Sequence, residues 1–254
     1  MAALQQHALV TGAGRGIGAA IAAALTGAGA RVTALGRSES HLRALVESGA
    51  AAGYEIADVT DENAVGAAVA RAAERRGPID WLVANAGGAE SAPFHRSDAA
   101  MFQRMINLNL MGVVNCAHAT LPGMIERRRG RIVAVASTAG LRGYAYVSAY
   151  AAAKHAVVGF VRSLALEAAT SGVTVNAVCP GFAETDMTDD SIARIMAKTG
   201  RTREQAYAEL AKHNPQGKLV QPQEVADAVL WLCGAGASSI TGQSIAVAGG
   251  EVMP

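Results

Sequence analysis

Seven short runs rich in Val, Ile and Ala recur along the chain, and longer Ala-rich stretches with helical patterning fall between them. The runs are His7 to Thr11, Arg31 to Leu35, Tyr54 to Ala57, Trp81 to Ala84, Arg131 to Ala136, Val173 to Val178 and Ser244 to Val247. They are largely apolar from end to end rather than alternating with polar residues, as expected of strands covered by helices on both faces. The rhythm predicts a doubly wound, parallel α/β sheet in three layers, αβα. In such a sheet ligands bind beyond the carboxyl ends of the strands, so the residues just after each run are where chemistry is to be sought.

A length of 254 residues suits one α/β domain over 1–254, and no Pro/Gly/Ser linker, repeat or low-complexity tract divides it. A hydrophobic share of 51% against 17% charged residues provides a sizeable core. The formal charge of +1 gives no field to draw the chain to nucleic acid or an anionic membrane. The one basic run, Arg127-Arg128-Arg129, is expected to be a solvated helix end. Cys116, Cys179 and Cys233 are too scattered for a disulfide framework or a zinc site, and no other metal set stands out. The start, MAALQQHALVTGAG, lacks the pattern of an export signal, and the uncharged stretch Gly16 to Ala30 falls short of the ~18 residues of a membrane span. A cytoplasmic protein is expected.

Asp186 to Gly217 breaks the rhythm, being long, charged and helical in pattern, with Thr202 as an N-cap for a second short helix. Its place after the sixth run puts it at the ligand edge. It is expected to form a lid over the substrate rather than a bland surface hairpin.

The first run leads into Thr11-Gly12-Ala13-Gly14-Arg15-Gly16-Ile17-Gly18 and then a helix. Glycines there permit a tight turn, and the free N–H groups and dipole of the helix start favour a pyrophosphate. This is the placing of a Rossmann-type dinucleotide loop, although the spacing of Gly12, Gly16 and Gly18 differs from G-x-G-x-x-G. At the end of the second run an acid would bind the ribose 2′-hydroxyl of NAD, but Gly36 stands there with Arg37 next. Arg37 and Arg15 together suit a 2′-phosphate, favouring NADP(H) over NAD(H). Asp58-Val59 and Asn85-Ala86-Gly87 end the third and fourth runs, and with the glycine loop they line a dinucleotide track.

Tyr150 and Lys154 lie one helical turn apart, so the ammonium can sit near the phenol. A free phenol titrates near ~10. A nearby cation is expected to lower it towards the working pH of a general acid and base. Taken in order, the glycine loop, Asn85-Ala86-Gly87, Asn109 within Asn107 to Gly112, Ser137 thirteen residues before Tyr150, Lys154, and Pro180-Gly181 resemble the short-chain dehydrogenase/reductases over nearly the whole chain.

The resemblance implies roles for these residues. Ser137 would bond the substrate carbonyl oxygen, Tyr150 would give or take its proton, Lys154 would bind the nicotinamide ribose and assist Tyr150, and Asn109 would hold a water that relays the proton. Pro180, Gly181, Phe182 and Thr185 would flank the nicotinamide. Ala248 departs from the usual Asp before Gly249-Gly250, which touches local hydrogen bonds or subunit contacts rather than the reaction. The resemblance also implies a homotetramer joined through the Tyr150 helix and the helix before it. It points first to a 3-oxoacyl or 3-hydroxyacyl thioester as substrate, with the lid residues Arg194, Lys198, Arg201 and Arg203 either meeting a coenzyme A or carrier phosphate or forming a solvated face. Free ketones, secondary alcohols or polyketides are the alternative, and a non-catalytic dinucleotide sensor is a remote one.

Overall fold

In the computed structural model, which describes residues 5–253, the apolar runs pair into one parallel sheet. The strands are β1 (His7–Thr11), β2 (Arg31–Gly36), β3 (Gly53–Ile56), β4 (Trp81–Ala84), β5 (Gly130–Val135), β6 (Val173–Pro180) and β7 (Ser244–Val247). Their order is β3-β2-β1-β4-β5-β6-β7, with the chain reversing direction across the sheet between β1 and β4. Six limits, in β2, β3, β5 and β6, differ by one or two residues from the sequence reading. The largest difference is at β6, which runs on to Pro180 because β7 pairs there, Pro180 opposite Val247.

The helices are α1 (Gly16–Gly27), α2 (Glu39–Glu47), α3 (Glu62–Arg76), α4 (Ala99–Ile106), α5 (Gly112–Glu126), α6 (Ser148–Ala168), α7 (Asp186–Thr199), α8 (Arg203–Ala211) and α9 (Pro222–Cys233). Strand residues alternate between two cores. Leu9, Leu82, Ile132 and Val175 face α3, α5 and α6. Ala8, Val10, Val83 and Val133 face α1, α2 and α9. Both faces of the inner strands are buried, and this is why they lack a polar phase.

Helices α7 and α8 occupy the stretch that interrupts the rhythm. Thr202 caps α8 in a full capping box with Gln205, and Gly200 in the left-handed region closes α7. The pair encloses a small core of its own, Ile192, Ala206, Leu210, Ala211 and Leu219.

The basic run is not a solvated helix end. Arg127 donates to the Ile79 carbonyl, Arg129 pairs with Asp80, and Arg128 takes φ +51 and donates to the Thr170 carbonyl. The run folds back on the amino end of the sheet, where carbonyls and a buried carboxylate need donors. Among the described residues no helix is long and apolar enough to cross a membrane.

Candidate active site

A cleft of about 1390 Å³ opens at the carboxyl edge of the sheet over the β1/β4 reversal. The glycine loop forms its floor. Gly12 and Gly16 hold φ of +62° and +53°, which side-chain-bearing residues rarely adopt. A Cβ on Gly18 would lie 2.2 Å from the Gly12 carbonyl oxygen, so α1 approaches the loop as closely as backbone allows. Arg15 at the N-cap of α1 is extended and makes no side-chain cap. The first-turn N–H groups are thereby left to a ligand.

Thr11 and Asn85 brace this loop from below. The Thr11 hydroxyl accepts the N–H groups of Asn85 and Ala86 at 3.0 Å each, and the Asn85 amide donates to the carbonyls of Thr11 and Gly12 at 3.0 and 3.2 Å. The cradle is thus empty of side chains but stiff, and it fits a dinucleotide pyrophosphate.

Arg15 and Arg37 both line the cleft with mostly exposed side chains, each against an acid: Arg15 with Asp186 at 3.4 Å and Arg37 with Asp58 at 3.6 Å. Exposed pairs of this kind are weak, so either guanidinium is available to a phosphate. Asp58 also accepts the N–H and hydroxyl of Thr60, and these bonds hold its carboxyl below the usual range. The buried Asn115 amide donates to the Val59 carbonyl at 2.9 Å and fixes this segment from α5.

Asn109 sits in a π-helical turn, Asn107–Met111, between α4 and α5, and is fully buried. One-turn π-bulges recur at functional sites because they re-aim a side chain. Here the amide donates to the carbonyls of Gly88 and Met105 at 3.0 Å and accepts the Gly88 N–H at 3.2 Å. It packs against Gly87, where a Cβ would be 2.8 Å from the Asn109 oxygen and 3.5 Å from Lys154 Nζ.

Ser137, Tyr150 and Lys154 meet on the adjoining wall. Ser137 ends β5 in extended backbone, and its oxygen accepts the Ala139 N–H at 3.1 Å. The cap and the site position are therefore the same atom. Tyr146, at φ +69°, turns the chain into α6. Such a backbone costs on the order of 1–3 kcal/mol, and residues held this way cluster at functional sites.

Lys154 is 4% exposed and donates to the Val135 carbonyl at 2.8 Å, and burial lowers its pKa to about 8. Its ammonium is 5.8 Å from the Tyr150 ring centre. The expectation that it lowers the phenol does not hold in this state. Burial raises Tyr150, Ser137 alone pulls it down, and Lys154 spends its charge on the β5 carbonyl. Cys179 beside them is pushed up to about 11 by burial and stays a neutral thiol near pH 7.

The remaining wall comes from Pro180, Gly181, Phe182 and Thr185, all lining the cleft. Phe182, His213 and Tyr144 form an aromatic group with ring centres 5.8 to 6.3 Å apart. The Tyr144 hydroxyl bonds Thr138 at 2.7 Å and Glu251 at 2.6 Å, so the tail after β7 reaches this wall. Ala248 packs against Gly181, while Glu251 brings a carboxylate from the same strand end. Thr11, Tyr144 and His213 were not picked out as site residues from the sequence. Only Thr11, a hydroxyl directly before a glycine turn, carried a readable signal.

The geometry can hold a dinucleotide along the loop and place a substrate oxygen between two hydroxyls and a buried cation. The description "short chain dehydrogenase" matches residues 6–195. The cis-4-hydroxycyclohexanecarboxylate dehydrogenase of Sinomonas cyclohexanicum is 41% identical over 250 residues, 97% of this chain and 96% of that one. The 3-oxoacyl-[acyl-carrier-protein] reductase FabG of Vibrio harveyi is 39% identical over 251 residues, 97% of each. Actinorhodin polyketide ketoreductase, solved with NADPH, superposes with a TM-score of 0.93 at 38% identity over 97% of each chain. On the match over residues 6–195 and these relatives, the chain belongs to the short-chain dehydrogenase family, oxidoreductases that act with a nicotinamide dinucleotide on carbonyl or alcohol groups.

Proposed function

We propose that this enzyme is an NADP(H)-dependent reductase or dehydrogenase of 3-oxoacyl or 3-hydroxyacyl thioesters. The observation that carries the reaction is the convergence of Ser137, Tyr150 and the buried Lys154 beside an uncapped, glycine-lined helix start. Gly12, Gly14, Arg15, Gly16, Ile17 and Gly18 would hold the pyrophosphate, Arg37 with Arg15 the 2′-phosphate, and Asp58, Val59, Asn85, Ala86 and Gly87 the adenosine and ribose side. Lys154, Tyr150, Pro180, Gly181, Phe182 and Thr185 would border the nicotinamide, which when bound supplies or accepts the hydride.

The chain's own part is to orient the substrate and move a proton. The Ser137 hydroxyl donates to the substrate oxygen and fixes its position, and Tyr150 donates its phenolic proton as negative charge grows there. Burial keeps that phenol protonated until it is needed. A cation at Lys154 then stabilises the phenolate, its proton count set close to neutrality by a pKa of about 8. Asn109 holds Gly87-Gly88 against Lys154, and its oxygen keeps one lone pair for a water on a proton path. The helix pair α7–α8 covers the substrate as a lid, tied to the glycine loop by Arg15 and Asp186.

Steady-state assays with acetoacetyl-CoA against a ketone panel, each with NADPH and NADH, test the assignment. Thioester turnover favouring NADPH is expected, and its absence removes the substrate. The aromatic group Tyr144, Phe182 and His213 favours the second reading, in which free cyclic ketones, secondary alcohols or polyketides stack there. A non-catalytic sensor would show no turnover with any of them. A homotetramer is supported by exposed apolar side chains on α5 and α6, Ile125 and Leu166, and light scattering should give four times the 25.9 kDa chain mass. A cytoplasmic setting fits three buried, unpaired cysteines.

A further inference from the structure

The lid cations fall into two groups. Arg203 is paired with Asp189, and Arg201 shares Glu209 with Lys212, so each of these already faces an acid within the helix pair. Arg194 and Lys198 differ. Both line the cleft, and they share one face of α7 with Met187 and Ser191 at spacings of four, three and four residues. Arg194 donates only to the uncharged Ser191 hydroxyl at 3.0 Å, and Lys198 has no hydrogen bond or ion pair among the described residues.

Of the other cations of the cleft, Arg15 and Arg37 belong to the cofactor end, Lys212 pairs with Glu209, and Lys154 donates to the Val135 carbonyl. Asp190, one turn before Arg194, makes no ion pair with it among the described residues. Two like charges one turn apart with no acid between them repel, and an anion bridging them relieves this. The cleft, at about 1390 Å³, also exceeds the roughly 300–1,000 Å³ of a single-ligand site, leaving room for a long second ligand beside a dinucleotide.

We propose that Arg194 and Lys198 form a phosphate subsite on the inner face of the lid, holding the phosphate of a pantetheine arm whose thioester end lies at Ser137 and Tyr150. This rests on the thioester reading above. Arg supplies a fork of donors and Lys a point charge, the usual pair of phosphate ligands. The subsite makes binding, and not the chemical step, depend on the phosphate.

An Arg194→Gln/Lys198→Gln double variant tests it with two thioesters, acetoacetyl-CoA and the phosphate-free acetoacetyl-N-acetylcysteamine, at saturating NADPH. The expected result is a KM for the CoA thioester raised about tenfold, or about 1.4 kcal/mol, with kcat unchanged and the phosphate-free thioester unaffected. An equal change with both substrates, or none with the CoA thioester, overturns the subsite while leaving the substrate reading intact. Calorimetric titration of free CoA and of 4′-phosphopantetheine gives a readout independent of turnover. Both should bind the variant about tenfold more weakly than the wild type, whereas weakening for CoA alone would move the contact to the adenosine phosphates and overturn the assignment. If both weaken but no thioester is turned over by wild type, the subsite stands and the substrate reading falls.

Discussion

The two ends of the sheet use the same kinds of side chain to opposite effect. At the amino end the buried titratable groups His7 and Asp80 are held by partners that belong to the fold itself. His7 donates from Nδ1 to the Gly77 carbonyl at 2.6 Å, since a carbonyl can only accept, and Nε2 therefore takes the Thr33 hydroxyl proton at 2.8 Å. Asp80 accepts the His7 N–H and pairs with Arg129. At the carboxyl end the helix start is uncapped, two lid cations lack counter-ions, and Tyr150 and Lys154 carry shifted pKa values. Titratable groups tied to the fold's own partners mark the end that holds the fold, and groups left to meet a ligand mark the end that takes one.

The contrast breaks most sharply if a change at one end produces the other end's phenotype. Tyr150→Phe should lower kcat by roughly 10²–10⁴ and leave the thermal midpoint within a degree or two, as read by calorimetry. A variant that unfolds early would place Tyr150 among the structural groups. Asp80→Ala should do the reverse. It strands a buried N–H and the Arg129 guanidinium, costing about 2–3 kcal/mol and roughly 5–10 °C in midpoint, with kcat/KM unchanged.

Smaller effects sharpen the boundary. Arg37→Ala should raise KM for NADPH about tenfold and leave NADH within twofold, the size of one charge-assisted phosphate contact. Equal loss with both cofactors would make Arg37 a partner of Asp58 and nothing more. His7 gives the smallest signal. Burial lowers its pKa below the usual ~6.5 of a free imidazole, so the unfolded chain takes up a proton the folded one refuses. Its contribution to stability is complete above about pH 6.5 and declines as the pH falls towards the folded value. Denaturant midpoints at pH 7.5 and 5.5 should therefore diverge more in wild type than in His7→Gln.

What the sequence made legible follows the same division. The strands could be placed because two cores remove every polar phase from them, and Gly12, Gly16 and Gly18 because a tight turn before a helix has few chemical solutions. Ser137, Tyr150 and Lys154 were legible through the family resemblance that their order and spacing carry, not through the Tyr150–Lys154 spacing by itself. The Thr11–Asn85 brace was not, since it depends on β1 lying beside β4 across more than seventy residues. Nor was the Tyr144–Glu251 bond, whose partners are 107 residues apart. The Arg127 to Arg129 run was misjudged because its acceptors, Ile79 and Asp80, come from another strand's approach. The bond from Lys154 to the Val135 carbonyl was not legible either, since it depends on β5 lying against α6.

The small core shared by α7 and α8 gives the molecule a detachable part. Ile192, Ala206, Leu210 and Leu219 pack chiefly on one another, and the segment rejoins the body where Ala183 and Val220 bridge in parallel, with the Val220 N–H bonded to the Phe182 carbonyl. A transplant cut at those two residues carries its own packing with it. Exchange of such cassettes between related chains should re-aim the enzyme at new substrates while the cofactor floor and the sealed far edge stay as they are.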